Sequence, residues 1–248
     1  MMNIKPQLTL LKAQASYRGD PTTLFHQLCG ARPATLLLES AEINSKQNLQ
    51  SLLVIDSALR ITALGHTVSV QALTANGAAL LPLLDEALPP EVSIQARPNG
   101  RELTFPAIDE VQDEDARLRS LSVFDALRTL LTLVDSPADE REAVMLGGLF
   151  AYDLVAGFEN LPTLRQDQRC PDFCFYLAET LLVLDHQRGS ARLQASVFSE
   201  QASEIQRLQQ RLAQLQTELK QTPQPIPHQK LENMQLSCNQ SDEEYGAV

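Results

Sequence analysis

The chain has 248 residues, with 31 acidic against 20 basic side chains, a formal net charge of −11, and no tryptophan. Its 44% hydrophobic and 21% charged composition excludes a disordered or collagen-like polypeptide, and the acidic balance argues against a nucleic-acid or anionic-membrane partner, which would need a Lys/Arg-rich surface. No apolar run approaches the ~20 residues that span a bilayer, and Lys5, Gln7, Thr9 and Lys12 interrupt the N-terminus as no signal peptide allows, so a cytoplasmic protein with four reduced cysteines is expected.

Residues 20–30 predict a short helix, with Asp20 as cap, Pro21 in the first turn and Gly30 as stop. Residues 34–39 read as a strand buried on both faces, and 51–56 as a second apolar strand. Residues 59–64 and 67–73 alternate with period two around Gly65-His66, the pattern of a hairpin. Asn76-Gly77 opens a helix over 78–88, which Pro89-Pro90 stops. Strands follow over 91–95 and 101–105, joined by a turn at Pro98-Asn99-Gly100.

Ser122 and Asp125 form a capping-box-like pair. They open a helix with an apolar stripe of Val123, Leu127, Leu130, Leu131 and Val134. Residues 146–158 read as a strand running into a turn or short helix. Residues 173–185 form a long strand, which Gly189 turns into a partner over 191–198. The last periodic segment, 201–220, carries Ile205, Leu208, Leu212, Leu215 and Leu219 at helical spacing. A coiled coil needs more heptads than this, so the pattern favours one helix laid on a sheet. Pro223, Pro225 and Pro227 read as an extended linker. Ser241 with Glu244 is a capping box that announces a further helix four residues before Val248. It is a frayed tail or the entrance to another domain.

Motifs that carry chemistry are scarce. No Gly-rich nucleotide loop, His-Glu-x-x-His pair, EF-hand loop or nucleophile elbow occurs. Cys170 and Cys174 lack nearby further ligands for zinc. His26, His66, His186 and His228 are scattered, and Asp113-Glu114-Asp115 reads as solvated loop charge. Two features stand out. In Leu36-Leu37-Leu38-Glu39-Ser40 an apolar strand ends in an acid and a hydroxyl. An acid can pair with the ammonium of an amino acid, and a hydroxyl with its carboxylate, while apolar residues line a pocket; an ordinary exposed strand end has the same residues. In Gly147-Gly148-Leu149-Phe150 paired glycines indicate a close backbone approach or a bulge.

At these motifs the chain resembles the anthranilate synthase component I family of enterobacterial type. The resemblance runs from Leu8 to Val248. Its most specific runs are Arg32-Pro33-Ala34-Thr35 leading into Leu36-Leu37-Leu38-Glu39-Ser40, Asp56-Ser57-Ala58-Leu59-Arg60, Gly147-Gly148-Leu149-Phe150 with Tyr152-Asp153-Leu154, Cys170-Pro171-Asp172-Phe173-Cys174, and Ser241-Asp242-Glu243-Glu244-Tyr245. It implies an α+β fold of antiparallel sheets flanked by helices. It also implies conversion of chorismate, with ammonia from a glutamine amidotransferase subunit, to anthranilate and pyruvate in tryptophan biosynthesis. Mg²⁺ is the implied cofactor and L-tryptophan the implied feedback inhibitor. Ser40 matches a tryptophan contact of the family, with Glu39 and Leu38 beside it. Family members are about twice as long. Their chorismate and Mg²⁺ residues lie beyond the position matching Val248, so the resemblance places no catalytic residue and no metal ligand in this chain. The expected division is a regulatory region over 1–222, a linker over 223–237 and the start of a catalytic domain over 238–248. The aminodeoxychorismate synthase large subunit and a non-enzymatic amino-acid-binding module are the alternatives.

Overall fold

The computed structural model describes residues 5–39, 49–107, 115, 119–157, 170–222, 241, 243 and 246. Nine strands form one sheet: β1 (Thr9–Ala15), β2 (Leu36–Glu39), β3 (Gln50–Leu64), β4 (Thr67–Ala72), β5 (Ser93–Arg97), β6 (Gly100–Thr104), β7 (Leu146–Phe150), β8 (Phe173–Asp185) and β9 (Ser190–Val197). The order is β1-β9-β8-β3-β4-β6-β5, with β2 added beside β3 and β7 beside β8. Every ladder between named strands is antiparallel. The helices are α1 (Pro21–Cys29), α2 (Ala75–Ala78), α3 (Leu80–Ala87), α4 (Phe124–Leu131) and α5 (Ala202–Lys220), with a 3-10 turn over Tyr152–Gly157. The α+β class with antiparallel pairing and flanking helices is therefore observed.

The long strands β3 and β8 organise the sheet. The segments predicted as separate strands at 51–56 and 59–64 are one continuous strand, because the residues between them stay paired through register shifts between Val54 and Leu59. Upstream of the shifts β3 carries β2, and downstream it carries β4. Likewise β8 pairs with β7 through its first half and with β9 through its second. Two cores result. Leu59, Ile61, Val70, Phe173 and Leu177 pack with Leu80 and Leu84 of α3 and with Leu127 and Leu130 of α4. Leu53, Ile55, Leu182 and Leu193 pack with Leu24 and Leu28 of α1 and with α5.

Helix α5 lies across β1 and β9, as the leucine spacing predicts for a helix laid on a sheet. Leu208, Leu212, Leu215 and Leu219 are all buried, each contributing about 1.5–3 kcal/mol of apolar transfer. Two ion-pair networks fix its register. Arg211 grips Asp56 through Nε (2.8 Å) and Nη2 (3.2 Å), and Arg32 joins at 3.0 Å. Burial acts to raise the pKa of Asp56, but the two guanidinium groups outweigh it and hold the carboxyl below the usual carboxylate range. Arg207 reaches the buried Glu179 at 2.9 Å, where Thr74 (2.7 Å) and Asn76 (3.0 Å) also donate.

Other boundaries follow from local chemistry. The Asp20 side chain accepts from the Thr23 amide at 3.0 Å, and Gly30 at φ 57° ends α1. The predicted helix over 78–88 begins earlier, because the Thr74 hydroxyl caps the Gly77 amide at 3.0 Å, and is interrupted at Ala79, where Pro82 has no N–H to donate back to the preceding turn. The Ser122 amide donates to Asp125 at 2.8 Å, half of the anticipated capping box. Helix α4 ends at Leu131, yet Val134 still reaches the same core. Strand β2 departs from expectation: its first three residues are half-buried and Glu39 is exposed. It lies at the margin of the sheet, where among the described residues only its Leu37 face packs against a helix, α1. The Pro-rich linker, His228 and Cys238 lie outside the described residues, as does most of the segment after Ser241.

Candidate functional site

Strand β2 is built to present two different faces. It pairs with β3 through Leu36↔Val54, Leu37↔Leu53, Leu38↔Leu52 and Glu39↔Ser51. Successive side chains alternate between faces. Leu37 joins the α1/α5 core. Leu36 packs on the other face with Leu52, Met145, Val54, Ala178, Leu181 and Val183. Leu38 follows Leu36 onto that second face. The cluster is open, since Leu36, Leu38, Leu52 and Met145 are all half-buried.

The paired glycines complete this surface. A Cβ on Gly147 would lie 2.9 Å from Leu36 Cδ1 and 3.5 Å from Leu38 Cδ1, whereas one on Gly148 would lie 2.2 Å from the Cys174 carbonyl oxygen and 2.6 Å from the Phe175 Cα. Gly148 thus allows β7 to lie against β8, and Gly147 leaves room opposite the β2 leucines. Close approach, rather than a bulge, explains the pair: all five β7 residues keep regular partners in β8.

Val183 leads from the apolar cluster into a polar hollow of about 380 Å³, lined also by Gln50, Asp185, Arg188 and Arg192. Arg188 pairs with Asp185 at 3.1 Å and Arg192 with Glu142 at 3.3 Å. The guanidinium Nε of Arg192 is buried without a hydrogen-bond partner.

On the opposite face, Ser51 is buried across from Glu39. Its hydroxyl meets Nε2 of His186 at 2.7 Å, and the Tyr17 hydroxyl meets Nδ1 at 3.0 Å. His186 thus braces the strand beside the end of β2. Of the three sequence-predicted site residues, Leu38 lies on the open apolar face. Glu39 ends the strand, exposed, on the Ser51 face. Ser40 lies outside the described residues. Met145, Gln50 and Val183 were missed by sequence reasoning, because only the sheet register brings them beside Leu38. Gly147 was the one legible signal. Among the described residues no three His, Cys, Asp or Glu side chains converge as metal ligands.

The family described as "chorismate binding enzyme" matches residues 90–247. The chain belongs to this family of chorismate-binding enzymes. It is 93% identical over its full length to "Anthranilate synthase component 1" of Serratia marcescens and 58% identical to the protein of the same name from Escherichia coli (strain K12). In both cases it spans about half, 48%, of the relative's length, matching the N-terminal portion. A solved structure titled anthranilate synthase component I from Streptococcus pneumoniae aligns over 76% of this chain and 32% of its own, at 16% identity and a TM-score of 0.44. The chorismate-binding family match begins inside the segment leading to β5 and runs through β7, β8 and α5.

Proposed function

We propose that this chain is the regulatory part of an anthranilate synthase large subunit, and that its Leu38 face forms one wall of a tryptophan-binding feedback site. The half-open cluster of Leu36, Leu38, Leu52 and Met145, with the β2 leucines packed down onto the buried Gly147, carries this reading. Leu38 would contact the indole and Ser40 the carboxylate or ammonium; Glu39, turned to the Ser51 face and exposed, would meet the ammonium only by reaching around the end of the strand. The names of the relatives at 93% and 58% identity support the anthranilate assignment over the aminodeoxychorismate alternative.

In this reading the longer protein converts chorismate, with ammonia from a glutamine amidotransferase subunit, to anthranilate and pyruvate in the cytoplasm. Mg²⁺ and the catalytic groups belong to polypeptide beyond these 248 residues. The chain alone would then be inactive and would bind tryptophan weakly or not at all. The division into residues 1–222, a linker over 223–237 and the opening of a catalytic domain over 238–248 belongs to the same proposal. Among the described residues no helix is long and apolar enough to cross a membrane.

Inhibition is a coupling between two sites, typically worth ~1–3 kcal/mol. In the full-length protein, Ser40→Phe is expected to leave uninhibited turnover intact and to raise the tryptophan concentration giving half-inhibition. An unchanged inhibition curve would overturn the site assignment. Product analysis showing aminodeoxychorismate would overturn the activity.

A further inference from the structure

The end of β7 and the turn that follows form an apolar ledge. Leu149 is 62% exposed, Phe150 52% and Tyr152 92%. Leu149 and Phe150 are consecutive strand residues, so they point to opposite faces; Leu149 is mostly exposed, and Phe150 leaves one side of its ring to solvent. Among the described residues β7 pairs only with β8. Among the described residues the Leu149 face, the outer side of the Phe150 ring and one edge of the strand end are therefore open, an arrangement that folded proteins normally cover.

The ledge is rigidly backed. The Phe150 ring lies 4.8 Å from that of Phe175, 5.6 Å from Phe124 and 6.0 Å from the fully buried Phe173, measured between centroids. Gly148 holds the strand against the β8 backbone. An apolar surface anchored in the core by aromatic contacts has the character of an interface centre, where aromatic side chains are enriched.

We propose that in the full-length protein this ledge is an intramolecular docking surface, covered by the polypeptide that follows position 248 in the longer relatives. Three observations favour that occupant. The relatives at 93% and 58% identity are about twice as long as this chain. The family match runs from 90 to 247, so β7 belongs to one family unit with the sequence leading into that continuation. The few side chains of the ledge supply well under the ~800 Å² that each partner of a free-standing complex contributes, whereas a tethered segment docks at an effective concentration in the millimolar range. A second copy is disfavoured by the net charge of −11, since like-charged molecules repel.

Hydroxyl-radical footprinting of the wild-type full-length protein, dilute and without its amidotransferase subunit, tests this directly. Leu149, Phe150 and Tyr152 should be modified at least tenfold more slowly than in the urea-unfolded protein. A photo-crosslinking amino acid in place of Tyr152 should attach to residues beyond 248 of the same polypeptide. Rates close to those of the unfolded chain would overturn the proposal. So would protection that appears only at high protein concentration, which would indicate a second copy, or only on adding the amidotransferase subunit. None of these outcomes depends on where tryptophan binds.

Discussion

Alanine at Gly147 and alanine at Gly148 should have opposite signatures, although the two residues are neighbours. At Gly148 the new methyl would sit 2.2 Å from a carbonyl oxygen and 2.6 Å from a Cα of β8. Those atoms are backbone, so the strands must separate by about 1 Å, against an ordinary spacing of about 4.8 Å. Overpacking of a core costs about 1–3 kcal/mol, and each stretched ladder bond adds up to about 1 kcal/mol. Gly148→Ala is therefore expected to cost about 2–4 kcal/mol. At Gly147 the nearest atoms are terminal methyls of Leu36 and Leu38, which can rotate toward the open face. The loss of chain entropy in the unfolded state on Gly→Ala offsets about 0.4–1 kcal/mol, so the net change should stay within about 1 kcal/mol. The same methyl would intrude on the proposed indole wall. If it weakens tryptophan binding by about 1 kcal/mol, the half-inhibitory concentration rises about fivefold. Urea titration of both variants, with tryptophan titration of the full-length enzyme, separates the two effects. Equal destabilisation by the two variants, or greater loss at Gly147, would refute the geometric reasoning.

Two further predictions concern the scaffold. Asn76 is fully buried; its side chain donates to Glu179 and to the Ser196 carbonyl and accepts from the Phe198 and Ser199 amides. Asn76→Ala strands those amides at about 1–3 kcal/mol each, so a loss of about 3–5 kcal/mol in urea unfolding is expected, and less than about 1 kcal/mol would contradict the accounting. The lowered pKa of Asp56 contributes stability that is complete above the unfolded carboxylate value, about 3.9, and is lost as pH falls through the lower folded value. The stability gap between wild type and Asp56→Asn should therefore narrow as pH falls below about 4, and a gap independent of pH would remove Asp56 from the acid limb.

Much of the scaffold is legible locally. The leucine repeat of α5, the Asp20 and Gly30 caps of α1 and the apolar run of β8 each follow from short-range periodicity and capping, which depend on a few neighbouring residues. The candidate site was only partly legible. Leu36-Leu37-Leu38-Glu39-Ser40 marked where to look, yet reading consecutive residues as one site ignored the alternation that turns Leu38 and Glu39 to different faces. The joining of two predicted strands into β3 was equally hidden, because only pairing with β8 carries the chain through the irregular residues between them.

The sequence by itself determined the family, the antiparallel α+β class and the elements whose signals are local. Tertiary structure alone decided that Met145, Gln50 and Val183 stand near Leu38, that Gly147 and Gly148 serve two different purposes, and that Leu149, Phe150 and Tyr152 are left uncovered. The physical reason is one of range. Helix periodicity, caps and turns are set within a few residues, whereas a binding face or a docking surface arises when the sheet register brings together residues separated by more than a hundred positions along the chain.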